Sequence, residues 1–338
     1  MAMTPEQAPS RIFITGGSGF IGSRLALLAV ERGHAVTVVT AVNNATERAR
    51  CDALVKAGIT VQVAPLEDSF ALARALIAHE VVIHLAAAQH EAEAGEAHFH
   101  QVNVEGTRRL LGLAARAGVR RFVHGSTIGV YGAASGRVLD EDSKLAPDNP
   151  YGRTKAVAET VVRGFSGPME TCIVRISETY GPGDMRLLKL FRGVSSGRYL
   201  TVGRGSNEHQ LIYVDDLCRG LLAATDAAAA SGETVVLAGS ERVTTNAMVS
   251  AIGAAVGSRR HVFHAPMWPF AAAAYVLETT LTPLGVKPPL HRRRLDFFRK
   301  SFRFSTAKAE RVLGFHAEIN FLDGARRTAE WYRANSLL

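Results

Sequence analysis

Tyr151 and Lys155 stand four residues apart in Pro150-Tyr-Gly-Arg-Thr-Lys155. On a helix, residues i and i+4 share a face, so the spacing predicts a phenol beside an ammonium. A free phenol has a pKa of about 10 and is a poor base near neutral pH. A neighbouring cation favours the phenolate, and such a pair moves a proton on or off a carbinol oxygen. Tyr-x-x-x-Lys also occurs on ordinary helix surfaces, so its meaning depends on what else the chain supplies.

The chain supplies a glycine turn, Thr15-Gly-Gly-Ser-Gly-Phe-Ile-Gly22, directly after an apolar run. Gly16 permits a tight exit from a strand, Gly19 close approach of a pyrophosphate to the backbone, and Gly22 close packing of the next helix on the sheet. The helix N-terminus then offers free N–H groups to phosphate. Strand, turn and helix follow in the required order. Gly16, Ser18, Gly19, Phe20, Ile21 and Gly22 are therefore candidate dinucleotide contacts. The end of the second strand, Val39-Thr40-Ala41-Val42, carries neither an acid nor an arginine. Thr40 is the candidate ribose contact. Arg48 and Arg50 are either reaching for a 2′-phosphate or lying on a helix surface, so NAD and NADP both remain open.

These groups must be positioned by a sheet. Apolar or β-branched runs at Arg11–Thr15, Ala35–Thr40, Ile59–Ala64, Val81–Leu85, Arg121–His124 and Thr171–Arg175 alternate with helical patterns at Phe20–Arg32, Glu47–Ala57, Phe70–Ala78, Val102–Ala117 and Tyr151–Phe165. That alternation predicts an α/β fold, a Rossmann-type doubly wound parallel sheet, with a smaller, mostly helical C-terminal substrate lobe. The expected division is a dinucleotide-binding domain over 1–176, with 211–240 returning to it through strands at Leu211–Val214 and Glu233–Leu237. The lobe is then expected from 177–210 and 241–338.

At 338 residues with 47% hydrophobic and 21% charged residues, the composition is globular. The net charge is +8, yet no long basic tract is interleaved with aromatics, so no nucleic-acid partner is expected. The densest basic cluster, His291-Arg-Arg-Arg294 with Arg299, Lys300 and Arg303, reads as a solvated helix face, with a membrane surface or a phosphate-bearing ligand as the sharper alternative. Cys51, Cys172 and Cys218 are odd in number and widely spaced, which suits a reducing, cytoplasmic setting. The polar N-terminus does not read as a signal peptide. The apolar stretch Ala265–Leu277 contains two prolines and is shorter than the roughly 20 residues a spanning helix needs, so no membrane span is expected. His90, His98 and His100, among Glu91, Glu93 and Glu96, lack a ligand spacing, and no metal is expected. Asp215 and Asp216 are expected to cap a helix.

Further segments give the pair its context: His84-Leu85-Ala86-Ala87, Val102-Asn103-Val-Glu-Gly-Thr107, Phe122-Val-His-Gly-Ser-Thr-Ile-Gly-Val-Tyr-Gly132, Arg175-Ile-Ser-Glu-Thr-Tyr-Gly-Pro-Gly-Asp184, Tyr213-Val-Asp-Asp-Leu217 and Lys308-Ala-Glu-Arg-Val-Leu-Gly-Phe315. Together with the glycine turn they resemble, over essentially the whole chain, the extended short-chain dehydrogenase/reductase family, also called the NAD-dependent epimerase/dehydratase family. The C-terminal stretch is similar to hydroxysteroid-dehydrogenase-like and dihydroflavonol-reductase-like members. The resemblance implies that Tyr151 is the acid/base, that Lys155 lowers its pKa and bonds the nicotinamide ribose, and that Thr127 bonds the substrate oxygen, with Ser126 the neighbour it is confused with. It implies cofactor contacts from Leu85, Ala86, Ala87 and Thr179 and substrate contacts from Glu178 and Tyr180. Asn103 is either a support on the lysine side or a local backbone-bonding residue. Homodimers through the 103–117 and 151–165 helices also occur in the family.

Departures from the family narrow the chemistry. Where its dehydratases carry Asp-Glu after the catalytic threonine, this chain has Ile128-Gly129, which argues against 4,6-dehydration. Where sugar-nucleotide members carry an asparagine that bonds the substrate diphosphate, Glu178 stands and would repel it. Pro65-Leu66 replaces the adenine-contacting Asp-Leu. Trp268, Phe270 and Tyr275 are either an apolar wall for a lipid-like alcohol or ordinary lobe packing. The expected activity is NAD(P)-dependent hydride transfer between nicotinamide and a small-molecule secondary alcohol or ketone. A UDP- or dTDP-sugar 4-epimerase with the same Thr/Tyr/Lys set is the second reading, and a non-catalytic dinucleotide sensor the third.

Overall fold

The structure, a computed structural model, describes residues 9–89, 95–132, 136–258, 263–281 and 292–338. His90, Glu91 and Glu93, weighed above as metal ligands, lie outside the described residues. Seven strands form the centre: β1 (Arg11–Thr15), β2 (Ala35–Thr40), β3 (Thr60–Val63), β4 (Val81–His84), β5 (Arg121–Thr127), β6 (Glu170–Ile176) and β7 (Thr234–Leu237). Their order across the sheet is β7-β6-β5-β4-β1-β2-β3, and every neighbouring pair is parallel. The chain winds one way from β1 to β3 and the other way from β4 to β7. That leaves a crevice at the C-terminal ends of β1 and β4, where such sheets bind ligands.

Helices cover both faces, so the central strands are apolar on both sides. Alternate residues divide between two cores. Ile12 and Ile14 of β1 join Val81, Ile83, Val123 and Val174 against Leu217 and Leu221 of the helix Val214–Asp226. Phe13 joins Val82, Phe122 and Ile173 against Leu72, Leu110 and Val162. A third core, around Phe191, Met248, Ile252, Ala325 and Tyr332, holds the C-terminal lobe together.

Three expectations need correction. Ile212–Tyr213 does not return to the main sheet but pairs with Thr179–Tyr180, whereas Thr234–Leu237 does add an edge strand beside β6. The expected 241–338 lobe segment does not stay in the lobe: Ala309, Leu313, Phe315 and Ala317 pack into the sheet's core. Asp215 and Asp216 provide no cap to the helix they begin. Asp215 instead binds Arg24 (2.6 Å), and Asp216 accepts the backbone N–H groups of Glu318 (3.0 Å) and Ile319 (2.8 Å), pinning the returning C-terminal segment.

The helix expected over Val102–Ala117 is also broken by chemistry. Glu96–His100 passes into a π-helical turn, Gln101–Glu105, before Gly106–Arg116 resumes the α-helix. Asn103 lies in that turn and bonds the backbone of Ala88 twice, accepting from its N–H (2.8 Å) and donating to its carbonyl (3.0 Å). Single π turns mark such places where a helix accommodates a functional contact.

All three cysteines are free and buried. Among the described residues no helix is long and apolar enough to cross a membrane, and no group of histidine, cysteine and acidic side chains could hold a metal ion.

One buried ion pair ties the helix Pro150–Arg163 to the sheet. Arg175 of β6 donates two bonds to Glu159, at 3.0 and 2.9 Å, and a third to the Tyr131 hydroxyl at 2.8 Å. Both partners of the ion pair are buried. Removing one partner strands the other charge in the interior. Arg175→Met is therefore expected to cost about 3–5 kcal/mol in a urea unfolding titration, and a loss below about 1 kcal/mol, typical of an exposed pair, would show that the pair is not buried in solution.

Candidate active site

The crevice is built from five strand ends and the first turns of two helices. Gly16 leaves β1 with φ +74°, a left-handed conformation suited to glycine. A Cβ there would lie 2.7 Å from the Ala86 nitrogen, and one on Gly22 would lie 2.3 Å from the Gly16 carbonyl oxygen. The helix Phe20–Glu31 then starts at Gly19 with no side-chain cap and no acid in its first turn, which leaves its leading N–H groups and partial positive charge for an anion. These features fit a bound dinucleotide. Leu85, Ala86 and Ala87 run over Gly16, held by bonds from Leu85 and Ala86 to Thr15.

Thr40 is placed differently from the expectation. Its hydroxyl lies 2.6 Å from that of Ser18 and donates to the Ala41 carbonyl at 3.0 Å, so it fixes the glycine turn rather than standing free for a ribose. Arg50 also turns inward. It donates to the carbonyls of Ser18 (3.2 Å) and Gly183 (3.0 Å), strapping the glycine turn to the loop after Thr179–Tyr180. Phe20 packs under the same loop, where a Cβ on Gly183 would touch its ring, and Ile21 leans on the sheet core.

The helix bearing Tyr151 starts at Pro150, with Asn149 capping it by accepting from the Gly152 N–H (3.0 Å). Gly152 lies so close to Gly129 that a Cβ would come 2.6 Å from the Gly129 carbonyl oxygen. That approach brings Tyr151 to the end of β5, within hydrogen-bonding reach of the Thr127 hydroxyl. Thr127 also accepts from the Gly129 N–H at 3.0 Å. Ser126 points to the other side of the strand, as alternate residues do, and donates to Glu159 at 2.6 Å. Of the two hydroxyls, Thr127 is the one that meets the phenol.

Electrostatics follow from burial and from nearby charges. Burial pushes the Tyr151 phenol up to about 12, while the Thr127 hydrogen bond and the charge of Arg186 pull it down. Burial pushes Lys155 down to about 8, and Glu159, one helical turn further on, opposes it. Tyr151, Lys155 and Glu159 form a single i, i+4, i+8 stripe. His84 is held neutral, its pKa lowered to about 3 by burial and by Lys155, while its ring bridges the hydroxyls of Thr15 (2.7 Å) and Thr107 (2.9 Å). His124, equally buried, is likewise pushed well below the ordinary histidine value, and neither of its ring nitrogens has a hydrogen-bond partner among the described residues. Asn103 donates to Thr154 (3.0 Å), next to Lys155, so it braces the catalytic helix while its other bonds hold Ala88.

Arg186, whose charge reaches the phenol, also lines a cavity of about 420 Å³, with Glu178, Thr179 and Lys189 among its walls and Leu190, Tyr199, Leu211, Phe297 and Phe298 supplying its apolar lining. Burial raises the Glu178 carboxyl, but His209, 3.5 Å away, and Arg186 together bring it below the ordinary carboxylate value. Arg186 is held by Asp184 (3.0 Å) and by the Thr179 carbonyl. Tyr180, expected to touch substrate, is instead in the lobe core, with its ring against Phe321 and its hydroxyl donating to the Asn320 carbonyl. The flanking Gly-Pro-Gly turn carries the chain to the cavity, and Tyr180 itself faces away from it. Trp268 and Tyr275 do not form an apolar wall there either: both are exposed, and Phe297 and Phe298 supply that wall.

Sequence reasoning missed Glu159, Arg186 and His209. Extending the four-residue stripe by one more turn would have found Glu159. Arg186 and His209 carry no local signal, since both reach the site through the fold of the lobe.

A family model described as "NAD dependent epimerase/dehydratase family" matches residues 12–238. A dTDP-glucose 4,6-dehydratase of Streptomyces niveus is 29% identical, over 96% of this chain and 93% of its own. The 4-hydroxy-2-methyl-3-oxo-4-farnesyl-3,4-dihydroquinoline-1-oxide ketoreductase of Stigmatella aurantiaca is 30% identical, over 93% of this chain and 94% of its own. Among solved structures, the dTDP-glucose 4,6-dehydratase DesIV of Streptomyces venezuelae, with NAD bound, superposes with a TM-score of 0.76 at 28% identity, covering 96% of this chain and 97% of that one.

Two outcomes follow from the geometry. Lys155 is a cation below about pH 8 in the free protein and loses that charge as pH rises through this value. Because Glu159 raises the lysine's pKa, Glu159→Gln is expected to move the alkaline fall of kcat/KM to lower pH, and an unmoved limb would show that Glu159 acts on the fold alone. Gly22→Ala is expected to weaken dinucleotide binding by at least about tenfold, because the added methyl displaces the Gly16 carbonyl. Calorimetric titration checks it, with wild-type affinity as the contrary result.

Proposed function

Because the chain belongs to the NAD dependent epimerase/dehydratase family, it is an enzyme whose dinucleotide is NAD, and we propose that it interconverts an apolar secondary alcohol and its ketone. NAD, when bound, supplies the hydride acceptor or donor. The glycine turn and the first turn of the helix Phe20–Glu31 hold its pyrophosphate. Arg50, one of the two candidates for a 2′-phosphate, is already committed to two carbonyls, which agrees with NAD.

The protein's own part is proton handling and orientation. Thr127 bonds the carbinol or carbonyl oxygen and sets its distance from the Tyr151 phenol. The phenol takes the hydroxyl proton during oxidation and returns it during reduction. Arg186 is the positive charge that favours a phenolate, and Lys155, on the same helix face, is the second cation assigned to that role. His84 and His124, with their pKa values pushed down by burial and by Lys155, are too weakly basic to compete for the proton. The lobe covers the crevice and keeps water from the reacting carbon.

The observation that carries the substrate class is the cavity. Its lining is largely aliphatic and aromatic, and it holds an ionised Glu178. A diphosphate beside that carboxylate meets like charge, whereas an alkyl or isoprenoid body meets matching surface. The ketoreductase relative, whose printed substrate carries a farnesyl group, agrees with this reading. The dTDP-glucose enzymes among the relatives lean towards the second reading, a nucleotide-sugar 4-epimerase in which Tyr151 serves both half-reactions. Arg186 and Lys189 on the cavity wall favour it as well. Gly129, packed on Gly152, stands where the acid pair of a dehydratase would be, which argues against 4,6-dehydration.

The two readings separate in one assay. With NADH and a long-chain 3-oxo compound, ketone-dependent loss of nicotinamide absorbance is expected. Turnover of UDP- or dTDP-sugars with no net change in NADH, and none of the ketone, would move the assignment to the epimerase. Tyr151→Phe is expected to lower kcat by about 10²–10⁴ without loss of NAD affinity; unchanged turnover would remove the phenol from the mechanism.

A further inference from the structure

The helix Met267–Leu281 is apolar around most of its circumference. Its sequence, Met-Trp-Pro-Phe-Ala-Ala-Ala-Ala-Tyr-Val-Leu-Glu-Thr-Thr-Leu, contains a single charged residue, Glu278. A helix of that composition is ordinarily buried on all sides. Here only Ala274 is buried. Trp268 is 73% exposed, Tyr275 57% and Val276 55%, and Phe263 on the neighbouring strand Phe263–Ala265 is 63% exposed. Trp268, Ala272, Tyr275, Val276 and Thr279 are spaced i, i+4, i+7, i+8 and i+11, so they form one outward stripe. Fifteen residues span about 22 Å, too short to cross a bilayer but sufficient to lie along one.

The surroundings are basic. The helix packs on Arg292–Arg299, which opens with Arg292-Arg293-Arg294 and ends with the exposed Arg299. Arg204, also exposed, lines a hollow of about 510 Å³ at the foot of the apolar helix, together with Met267 and Phe298. Phe298 also lines the cavity that holds Glu178 and Arg186, so the hollow and that cavity share a wall.

We propose that this stripe docks on an anionic lipid surface, with the apolar side chains in the acyl boundary, the exposed Arg204 and Arg299 on lipid phosphates and the hollow facing the bilayer. An apolar stripe beside basic residues suits that interface, and an indole at Trp268 suits the headgroup level. A second copy of the chain is the poorer occupant, because a twofold contact through the stripe would bring the basic helix Arg292–Arg299 of each copy towards the other. The docking gives a lipid-borne ketone a short route to the cavity, and this last point rests on the alcohol/ketone reading above, whereas the docking does not.

The test uses the full-length protein and sedimented vesicles. Binding is expected to equimolar phosphatidylcholine and phosphatidylglycerol, weaker to phosphatidylcholine alone, and reduced by salt. Trp268→Ser with Val276→Ser is expected to lower partitioning by at least about tenfold, while NAD-dependent turnover of a water-soluble ketone persists, which shows that the variant is folded. Replacing Arg204 and Arg299 by serine is expected to abolish the preference for the anionic lipid. As a check without disrupting the stripe, Trp331→Phe leaves Trp268 as the sole tryptophan, and brominated lipid is expected to quench it. No vesicle binding, no quenching, or a wild-type dimer that the double variant converts to monomer would each overturn the docking. Absence of ketone turnover with vesicle binding intact would instead defeat the functional reading alone.

Discussion

A buried carboxylate holds this active site in register. Glu159 accepts from Ser126 at the end of β5, twice from Arg175 on β6, and from Arg163 one turn along its own helix. An uncompensated charge at that depth is too costly to persist, so the helix can seat only where all these donors converge. The strand register supplies the convergence, because Ser126 lies directly opposite Arg175. Once Glu159 is seated, helical periodicity fixes Lys155 one turn earlier and Tyr151 two turns earlier, facing Thr127. Geometry at the phenol is thus inherited from an ion pair that touches no substrate.

The same arrangement sets the charge state of the site. Lys155 lies between a carboxylate that keeps it protonated and a dry interior that strips its proton. The two imidazoles nearby feel the dry interior and the lysine, and His124 also feels His84, so both stay neutral. The phenol feels Arg186, which belongs to the loop leading into the lobe and is braced by Asp184 and the Thr179 carbonyl. Lobe and sheet therefore meet electrically at Tyr151: a movement of that loop changes the acidity of the phenol as well as the shape of the cavity. Arg50, reaching from beside the glycine turn to Gly183, ties the loop to the cofactor side.

The parts legible in the sequence were those written locally. The glycine spacing, the β-branched runs of β1 and β2 and the four-residue Tyr–Lys interval each state their geometry within a few residues. The contact of Thr40 with Ser18 has no local signal, because the two are 22 residues apart and become neighbours only when β1 and β2 pair. Tyr180 was misread because a Gly-Pro-Gly turn marks a cleft loop without revealing that the tyrosine before it faces the lobe core. Leu211–Val214 had the right strand pattern, but pattern alone does not choose between the main sheet and a two-stranded satellite. Trp268 and Tyr275 read equally well as a pocket wall or as packing, and their outward placement follows from how the helix Met267–Leu281 is laid on the lobe.

The most direct test of the central claim, that a phenol raised by burial and brought down again by nearby positive charge exchanges the proton at the carbinol, is a pH titration of the Tyr151 ring carbon in protein labelled with ¹³C-tyrosine, with Tyr151→Phe to assign the resonance. In the free protein the phenol is expected to titrate at about 12. With oxidised NAD bound, the cation beside it is expected to lower that value by about 1–3 units. A phenol that titrates at an ordinary value of about 10 and does not respond to NAD would contradict the account.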